Sequence, residues 1–413
     1  MKQHFDIIIA GGGMVGATLA IALAKTGQFS IAVVEAFPLT HSKKNKTSQQ
    51  TVYTPSYDAR STALSEGTCR ILDSLGLLSS IKERAETIKK IHVSDQGRFG
   101  VTRIDCEDED VDSFGIVVEN PWFGRVLIDA LHDHDEISLF SPAKVVAVNA
   151  QGESSGAQVQ VETGSGTLNL SADLLVAADG AESACCRYLS IGKEIYDYQQ
   201  SAIVANLTPV KPHHHIAYER FTKSGPMALL PLVDDRLALV LTVPSEDVNG
   251  YLGLDDKEFI EVVNERIGGR TGGFKKVGER ACYPLKLMRS KEQVRPVCVV
   301  LGNAAHSLHP VAGQGFNLSL RDVALLTNIL SDAKKNQQNI GKLSLLQSYL
   351  NTRELDQETT IQFSDKLMRL FSNDSTVLAA GRNFGMLALD LWPGGKKILT
   401  RHSMGLAAGV PDV

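Results

Sequence analysis

Asp6-Ile7-Ile8-Ile9-Ala10, running into Gly11-Gly12-Gly13-Met14-Val15-Gly16, is the stretch that decides the fold. The first five residues form a short apolar run rich in β-branched side chains, the composition of a fully buried parallel strand. An Ala/Leu-rich helical run follows over Ala17–Lys25, Gly27 can end it, and a second apolar strand, Ile31–Val34, delivers Glu35. Strand, glycine turn and helix thus occur in the order that gives G-x-G-x-x-G its meaning. Gly11 permits the tight turn, Gly13 lets a pyrophosphate approach the backbone, and Gly16 lets helix and strand pack closely. The unpaired N–H groups at the helix start, together with the positive end of its dipole, would face the phosphates. Glu35, nineteen residues past Gly16, is placed to accept hydrogen bonds from a ribose diol. The expectation is a dinucleotide-binding βαβ unit at the N-terminus.

The chain has 413 residues, 43% of them hydrophobic and 22% charged, enough for two or three domains of ordinary globular composition. A net charge of -5 and a pI near 6.1 leave no basic stripe for nucleic acid. No run approaches the ~18 uninterrupted apolar residues of a membrane span, so any membrane contact is expected to be peripheral. The strand begins almost at Met1, without a signal peptide, and the expected location is cytoplasmic. Cys69, Cys106, Cys185, Cys186, Cys282 and Cys298 form no C-x-x-C pair and are read as reduced thiols, mostly buried.

Beyond Glu35, the polar stretch Thr40–Tyr57 reads as a surface loop, and Tyr57–Ser65 (YDARSTALS) leads into a helix ending near Leu75-Gly76. Lys89–Ser94 and Gly100–Asp105 alternate around Asp95-Gln96-Gly97 as a hairpin would. The acidic run Glu107–Asp112 is read as a solvated loop. A helix opens at Trp122-Phe123 and runs through Leu131, followed by strands at Lys144–Asn149 and Ala157–Glu162. Ala172–Ala177 is a second buried strand, ending in Asp179-Gly180. Residues 185–285 look β-rich, and His213-His214-His215 within them is read as an exposed strand edge or loop, since three consecutive side chains do not readily converge on one metal ion. Pro296–Leu301 is a third buried strand. Helical runs follow at Val323–Ser331, Leu343–Arg353 and Thr359–Phe371, and the apolar tail Val377–Leu399 is read as core, subunit contact or membrane-facing surface. Neither an internal repeat nor a second nucleotide motif is apparent; Gly268-Gly269 and Gly272-Gly273 lack a preceding strand.

One nucleotide motif followed by two later strand-turn elements, at Asp179 and Gly302, is the arrangement over which FAD is spread. On these motifs the chain resembles the flavin-dependent aromatic hydroxylases of the p-hydroxybenzoate hydroxylase type, across nearly its full length. Within them it is similar to the ubiquinone-biosynthesis hydroxylases, most of all those acting on 2-polyprenyl-6-methoxyphenol. Tyr57–Ser65, Leu301–Leu318 and the C-terminal run Thr359–Phe371 with Gly381-Arg382-Asn383 carry that narrower likeness. The fold it implies is α/β, a Rossmann-like FAD-binding domain (1–75, 106–184 and 286–340) with an interleaved β-rich substrate domain (76–105 and 185–285) and C-terminal helices (341–413).

Carried over by position, the resemblance implies that Gly11, Gly13 and Gly16 bind the FAD pyrophosphate and Glu35 the adenosine ribose. Arg60 and Arg125 would lie along the flavin or its phosphates, and Asp179-Gly180 would serve both FAD and the pyridine nucleotide. Gly302-Asn303 would reach the ribityl chain, and Pro310, Gly313, Gln314, Gly315 and Asn317 would wrap the isoalloxazine edge. His306 and His309 are candidates for a proton shuttle beside it, against a structural or solvent-exposed role. Two positions depart from the family pattern: Asn303 stands for its Asp, and after Asp179-Gly180 and Ser183 the family's Arg is replaced by Cys186, with Arg187 one residue late. The implied reaction is hydroxylation of a polyprenylated phenol in ubiquinone biosynthesis with NAD(P)H and O2, through a flavin C4a-hydroperoxide. The implied partners are the polyprenyl phenol and O2, with a ubiquinone-biosynthesis assembly, a homo-oligomer partner and the periphery of the inner membrane as further candidates. The rivals are an FAD hydroxylase of another ring position or phenol, and a flavin-binding scaffold within a biosynthetic complex.

Overall fold

The computed structural model describes residues 3–40, 60–97, 100–150, 152–222, 224–308 and 313–371, together with Gly394 and Met404. The polar stretch 41–59 and, Gly394 apart, the apolar tail 377–399 lie outside these described residues.

The first sheet grows from the N-terminal strand Gln3–Ala10. It pairs in parallel with Ile31–Val34 on one side and with Gly166–Ala177 on the other. Cys298–Val300 extends the parallel order beyond Gly166–Ala177, and Ile137–Phe140 extends it beyond Ile31–Val34. Ile7, Ile8 and Ile9 are fully buried, as strands covered on both faces require. On one face lie the helices Met14–Lys25, Asn120–His132 and Gln314–Lys335, whose Leu19, Leu23, Phe123, Leu127, Leu320 and Leu330 share a core with Ile7 and Ile9. Each such side chain contributes roughly 1.5–3 kcal/mol when removed from water. The opposite face, around Ile8 and Leu175, is covered by the antiparallel strands Ala143–Ala150 and Ala157–Thr163 and by Cys185 and Cys186.

A second sheet has nine strands. Its path runs His306–Ser307, Ala281–Ser290, Lys193–Pro209, Arg236–Pro244, Gly225–Leu232, Ile216–Thr222, Lys90–Asp95 and Val101–Asp105, with Phe274–Val277 also paired to Lys193–Pro209. Lys90–Asp95 and Val101–Asp105 form the hairpin the alternation indicates. One face packs on the helix Asp256–Ile267 through Met227, Leu229, Leu239, Leu241, Phe259 and Val263. A small third sheet, Ser61–Ser65, Gly115–Glu119 and Ala85–Thr87, completes the strands.

Several expectations are corrected. Ser61–Ser65 is a strand before the helix Glu66–Ser74, and its Ser65 hydroxyl caps that helix. Residues 185–285 are β-rich as expected, but the helices Val248–Gly253 and Asp256–Ile267 interrupt them, the second opened by a capping box of Asp255 and Glu258 and closed by Gly268 in the left-handed region. Leu343–Phe371 is one continuous helix rather than two runs. The acidic run includes a single 3-10 turn, Glu107–Glu109, in which Glu109 is buried. His213 to His215 do form a loop, but His213 is buried, its Nε2 donating to the Leu232 carbonyl at 3.1 Å. His215 instead meets Glu86 at 2.9 Å.

Candidate functional site

In an open parallel sheet, ligands sit outside the carboxyl ends of the strands where the chain order reverses. Here that point lies beside Gln3–Ala10, whose two parallel neighbours, both later in the sequence, lie on opposite sides of it in the sheet. Four strand ends deliver candidate residues to this edge: Gly11 to Gly16, Glu35, Asp179-Gly180 and Gly302-Asn303.

The glycine turn is built to sub-van der Waals tolerance. A Cβ on Gly16 would lie 2.0 Å from the Gly11 carbonyl oxygen, and one on Gly11, at φ 102°, would lie 2.4 Å from that of Ala178. Gly13 is the N-cap of Met14–Lys25, with no side chain capping it and no acidic residue in the first turn. A helix start left in this state suits a phosphate anion. Glu35 Oε2 accepts the Gly12 N–H at 2.7 Å and Oε1 accepts that of Phe37 at 3.0 Å. Each carboxylate oxygen keeps a second acceptor site, so the acid is pinned without being saturated.

Asp179 is engaged locally. It accepts the Ser183 hydroxyl at 2.5 Å and the Cys185 N–H at 3.0 Å, holding the short helix Ala184–Tyr188 against the sheet. Ser183 in turn caps that helix through the Cys186 N–H, and Arg187 turns to the Glu182 carbonyl. Gly302, at φ 64°, brings its turn to the start of the first helix: a Cβ there would press on both Val15 methyls at 3.2 Å. Asn303 is exposed on that turn.

Gly313, at φ 62°, caps Gln314–Lys335, with room for no more than a tight contact against Ala63. Gln314 and Asn317 are buried. Asn317 donates to the carbonyls of Ala63 at 3.0 Å and Gly313 at 2.8 Å and accepts the Ser65 N–H at 2.9 Å. It is a clamp between this helix and the strand Ser61–Ser65. Gly315 has ordinary clearance. His309 and Pro310 lie outside the described residues.

Arg60 stacks on the Tyr283 ring at 4.5 Å, joining the approach of this site to the second sheet. Arg125 is exposed on Asn120–His132, over Trp122 and 4.0 Å from Asp129. His306 is buried and 3.0 Å from Asp322, which also takes Arg353 Nε at 2.5 Å. Those charges hold the Asp322 carboxyl down at about 2 against the burial that would raise it. Burial likewise pushes the Cys69 and Cys298 thiols up to about 12, which keeps them neutral rather than nucleophilic. Among the described residues no helix is long and apolar enough to cross a membrane.

Sequence reasoning passed over Asp322 and Arg353, which only the packing of two helices brings together.

The geometry fits a nucleotide cofactor: a side-chain-free turn, an uncapped helix start and a partly satisfied acid converge on one edge. Comparison with known proteins names it. The family described as "FAD binding domain" matches residues 4–364. A ubiquinone hydroxylase, UbiL, of Rhodospirillum rubrum is 32% identical over 97% of this chain and 89% of its own length. The 3-demethoxyubiquinol 3-hydroxylase of Escherichia coli is 26% identical over 98% of this chain and 100% of its own. Among solved structures, p-nitrophenol 4-monooxygenase PnpA of Pseudomonas putida superposes with a TM-score of 0.78 at 17% identity, covering 98% of this chain and 99% of that one.

Proposed function

The chain belongs to the FAD-binding-domain family of flavin-dependent monooxygenases, and on that premise we propose that it hydroxylates a polyprenylated phenol on the route to ubiquinone, with NAD(P)H as reductant. The ring position and the 2-polyprenyl-6-methoxyphenol substrate are part of this proposal. The relatives named as ubiquinone hydroxylases support the pathway. One observation carries the reaction type: Arg60, leading into the strand that Asn317 clamps to the Gly313 turn, stacks on Tyr283, and the same face of the second sheet bears the half-buried apolar Val204, Ala228 and Val240.

FAD, when bound, would supply the redox chemistry that couples NAD(P)H and O2 to hydroxylation of the ring. The protein's task is to hold the reactants and keep water out. The uncapped start of Met14–Lys25 and the Gly11 to Gly16 turn would bind the pyrophosphate, and Glu35 the ribose. Gly302-Asn303 would take the ribityl chain; an amide at Asn303 still pairs with hydroxyls but brings no charge. Asp179-Gly180, Gln314 and Gly315 would border the cofactor, and the Gly313 turn, fixed by Asn317, would offer backbone N–H groups to the ring edge, where they stabilise negative charge. Val204, Ala228 and Val240 would receive the apolar substrate.

The purified protein should be yellow, and its NAD(P)H consumption should rise with a short-chain 2-prenyl-6-methoxyphenol and yield a hydroxylated product by mass. Correctly folded protein that fails to bind added FAD overturns the reading. Bound FAD without phenol-stimulated turnover, even with biosynthetic partner proteins present, favours a flavin-binding scaffold.

A further inference from the structure

Ile216–Thr222 lies inside the second sheet, parallel to Lys90–Asp95 and antiparallel to Gly225–Leu232. Alternation along a strand sends successive side chains to opposite faces. Tyr218 packs into the core around Phe259, and Arg220 donates to Ser94 Oγ at 3.2 Å close to Gly268, at the end of that helix. Ala217 belongs to the opposite side, with Ile88 and Val117 of the small third sheet's region. Glu219 shares Ala217's face, which further across the sheet carries Tyr283 beneath Arg60.

On that face the register places Val93, Glu219, Ala228, Val240, Val204 and Ala281 in one row across the strands. All six are half-buried, whereas on the opposite face Met227, Leu229, Leu239, Leu241 and Ile203 are fully buried. Five apolar residues with accessible surface thus share the row with one carboxyl. No hydrogen bond or ion pair reaches Glu219 among the described residues, and burial alone pushes its carboxyl up to about 8. The other ionisable groups packed on this face are engaged: Glu119 by Arg236 and Asn206, Glu86 by His215, Arg60 over Tyr283, and Asp365 by Tyr198. Asp95 sits further along, level with Phe221, at the strand end. A carboxyl set among apolar side chains, with no partner among the described residues, suits a partner that arrives with the substrate.

We propose that Glu219 is the catalytic base that receives the proton of the substrate's phenolic hydroxyl. This assignment rests on the phenol-hydroxylase reading above. The phenolic O–H bond breaks and its proton passes to Glu219, while the released electron pair enriches the ring carbon that forms the new C–O bond with one atom of O2. The hydrogen on that carbon leaves as a proton, aromaticity returns, and Glu219 gives its proton back to the phenolic oxygen. The second oxygen atom leaves as water, its electrons supplied by NAD(P)H. A carboxyl raised by an apolar site is matched to such a transfer near neutral pH.

The test uses the full chain with FAD and a short-chain 2-prenyl-6-methoxyphenol. In the wild type, kcat/KM for the phenol should rise with pH through about 8, as the carboxyl ionises, and an ultraviolet difference spectrum should show phenolate on binding. Glu219→Gln should keep the FAD spectrum, lose roughly 10²–10⁴-fold in kcat/KM, and lose both the limb and the phenolate band. Glu219→Asp should keep the limb with a reduced rate. Because no described residue pairs with Glu219, Glu219→Gln should fold as well as the wild type; its urea midpoint checks this. A Glu219→Gln variant with wild-type rate and pH limb overturns the assignment while leaving the hydroxylase standing. A wild type that binds FAD yet never responds to phenols overturns the hydroxylase reading, and this assignment with it.

Discussion

A methyl group is a sharp probe of the nucleotide turn. Gly16→Ala would put carbon 2.0 Å from a backbone oxygen that cannot move without reshaping the turn. We expect a loss on the order of 3 kcal/mol in urea unfolding and colourless protein after purification. Gly27→Ala, in open space at φ 66°, should cost only about 1 kcal/mol and leave FAD bound. Asn317→Ala strands the Ser65 N–H and the Ala63 and Gly313 carbonyls, each lost partner costing about 1–3 kcal/mol. Its FAD dissociation constant, measured by fluorescence, should rise while the Gly11 to Gly16 turn stays intact. These glycines were legible in the sequence because strand, turn and helix all lie within thirty residues. The clamp by Asn317 was not, because its partners Ala63 and Ser65 are some 250 positions away.

At the scale of elements, the helices Gln314–Lys335 and Leu343–Phe371 are joined by a buried charge network. Asp322 meets His306 and Arg353, and Asp356 meets Arg321 and Arg353. Removing one partner uncovers the others, so Asp322→Asn should cost about 3–5 kcal/mol. The pH dependence follows from the direction of the shift. Asp322 is held at about 2 in the folded chain, below the ~3.9 of an unfolded Asp. Its contribution is therefore complete above about pH 4 and fades as pH falls toward 2. Stability measured by urea between those values should decline more steeply in the wild type than in Asp322→Asn. Such a network leaves little trace in sequence, where its members look like ordinary helix-surface charges. The helix Asp256–Ile267 is different: Asp255 and Glu258 spell a capping box before Phe259, Val263 and Ile267, and the β-rich surroundings masked it. Strand Ser61–Ser65 was hidden because five residues beside a helix give too short an alternation to read.

Across the whole molecule, the parallel sheet and the second sheet must hold a fixed spacing for a ring between them to react. Glu119, at the end of Gly115–Glu119, makes a two-pronged pair with Arg236 at 3.0 and 2.9 Å and accepts from Asn206 at 3.1 Å. Glu119→Ala should leave FAD bound, cost about 1–3 kcal/mol, and raise the fraction of NAD(P)H consumed without product, read as hydrogen peroxide released. The parallel core was legible because its buried strands are continuous apolar runs. The face of the second sheet that bears Glu219 was not, because only register across six strands sets Val93, Glu219 and Ala281 in one row. The central claim is that this chain places an oxygen atom from O2 on a prenylated phenol. Turnover of 2-prenyl-6-methoxyphenol under isotopically labelled dioxygen, with the product weighed by mass spectrometry, tests it most directly. One labelled oxygen in the ring product is the predicted result; a product whose new oxygen comes from water, or no oxygenated product from FAD-loaded protein, would contradict it.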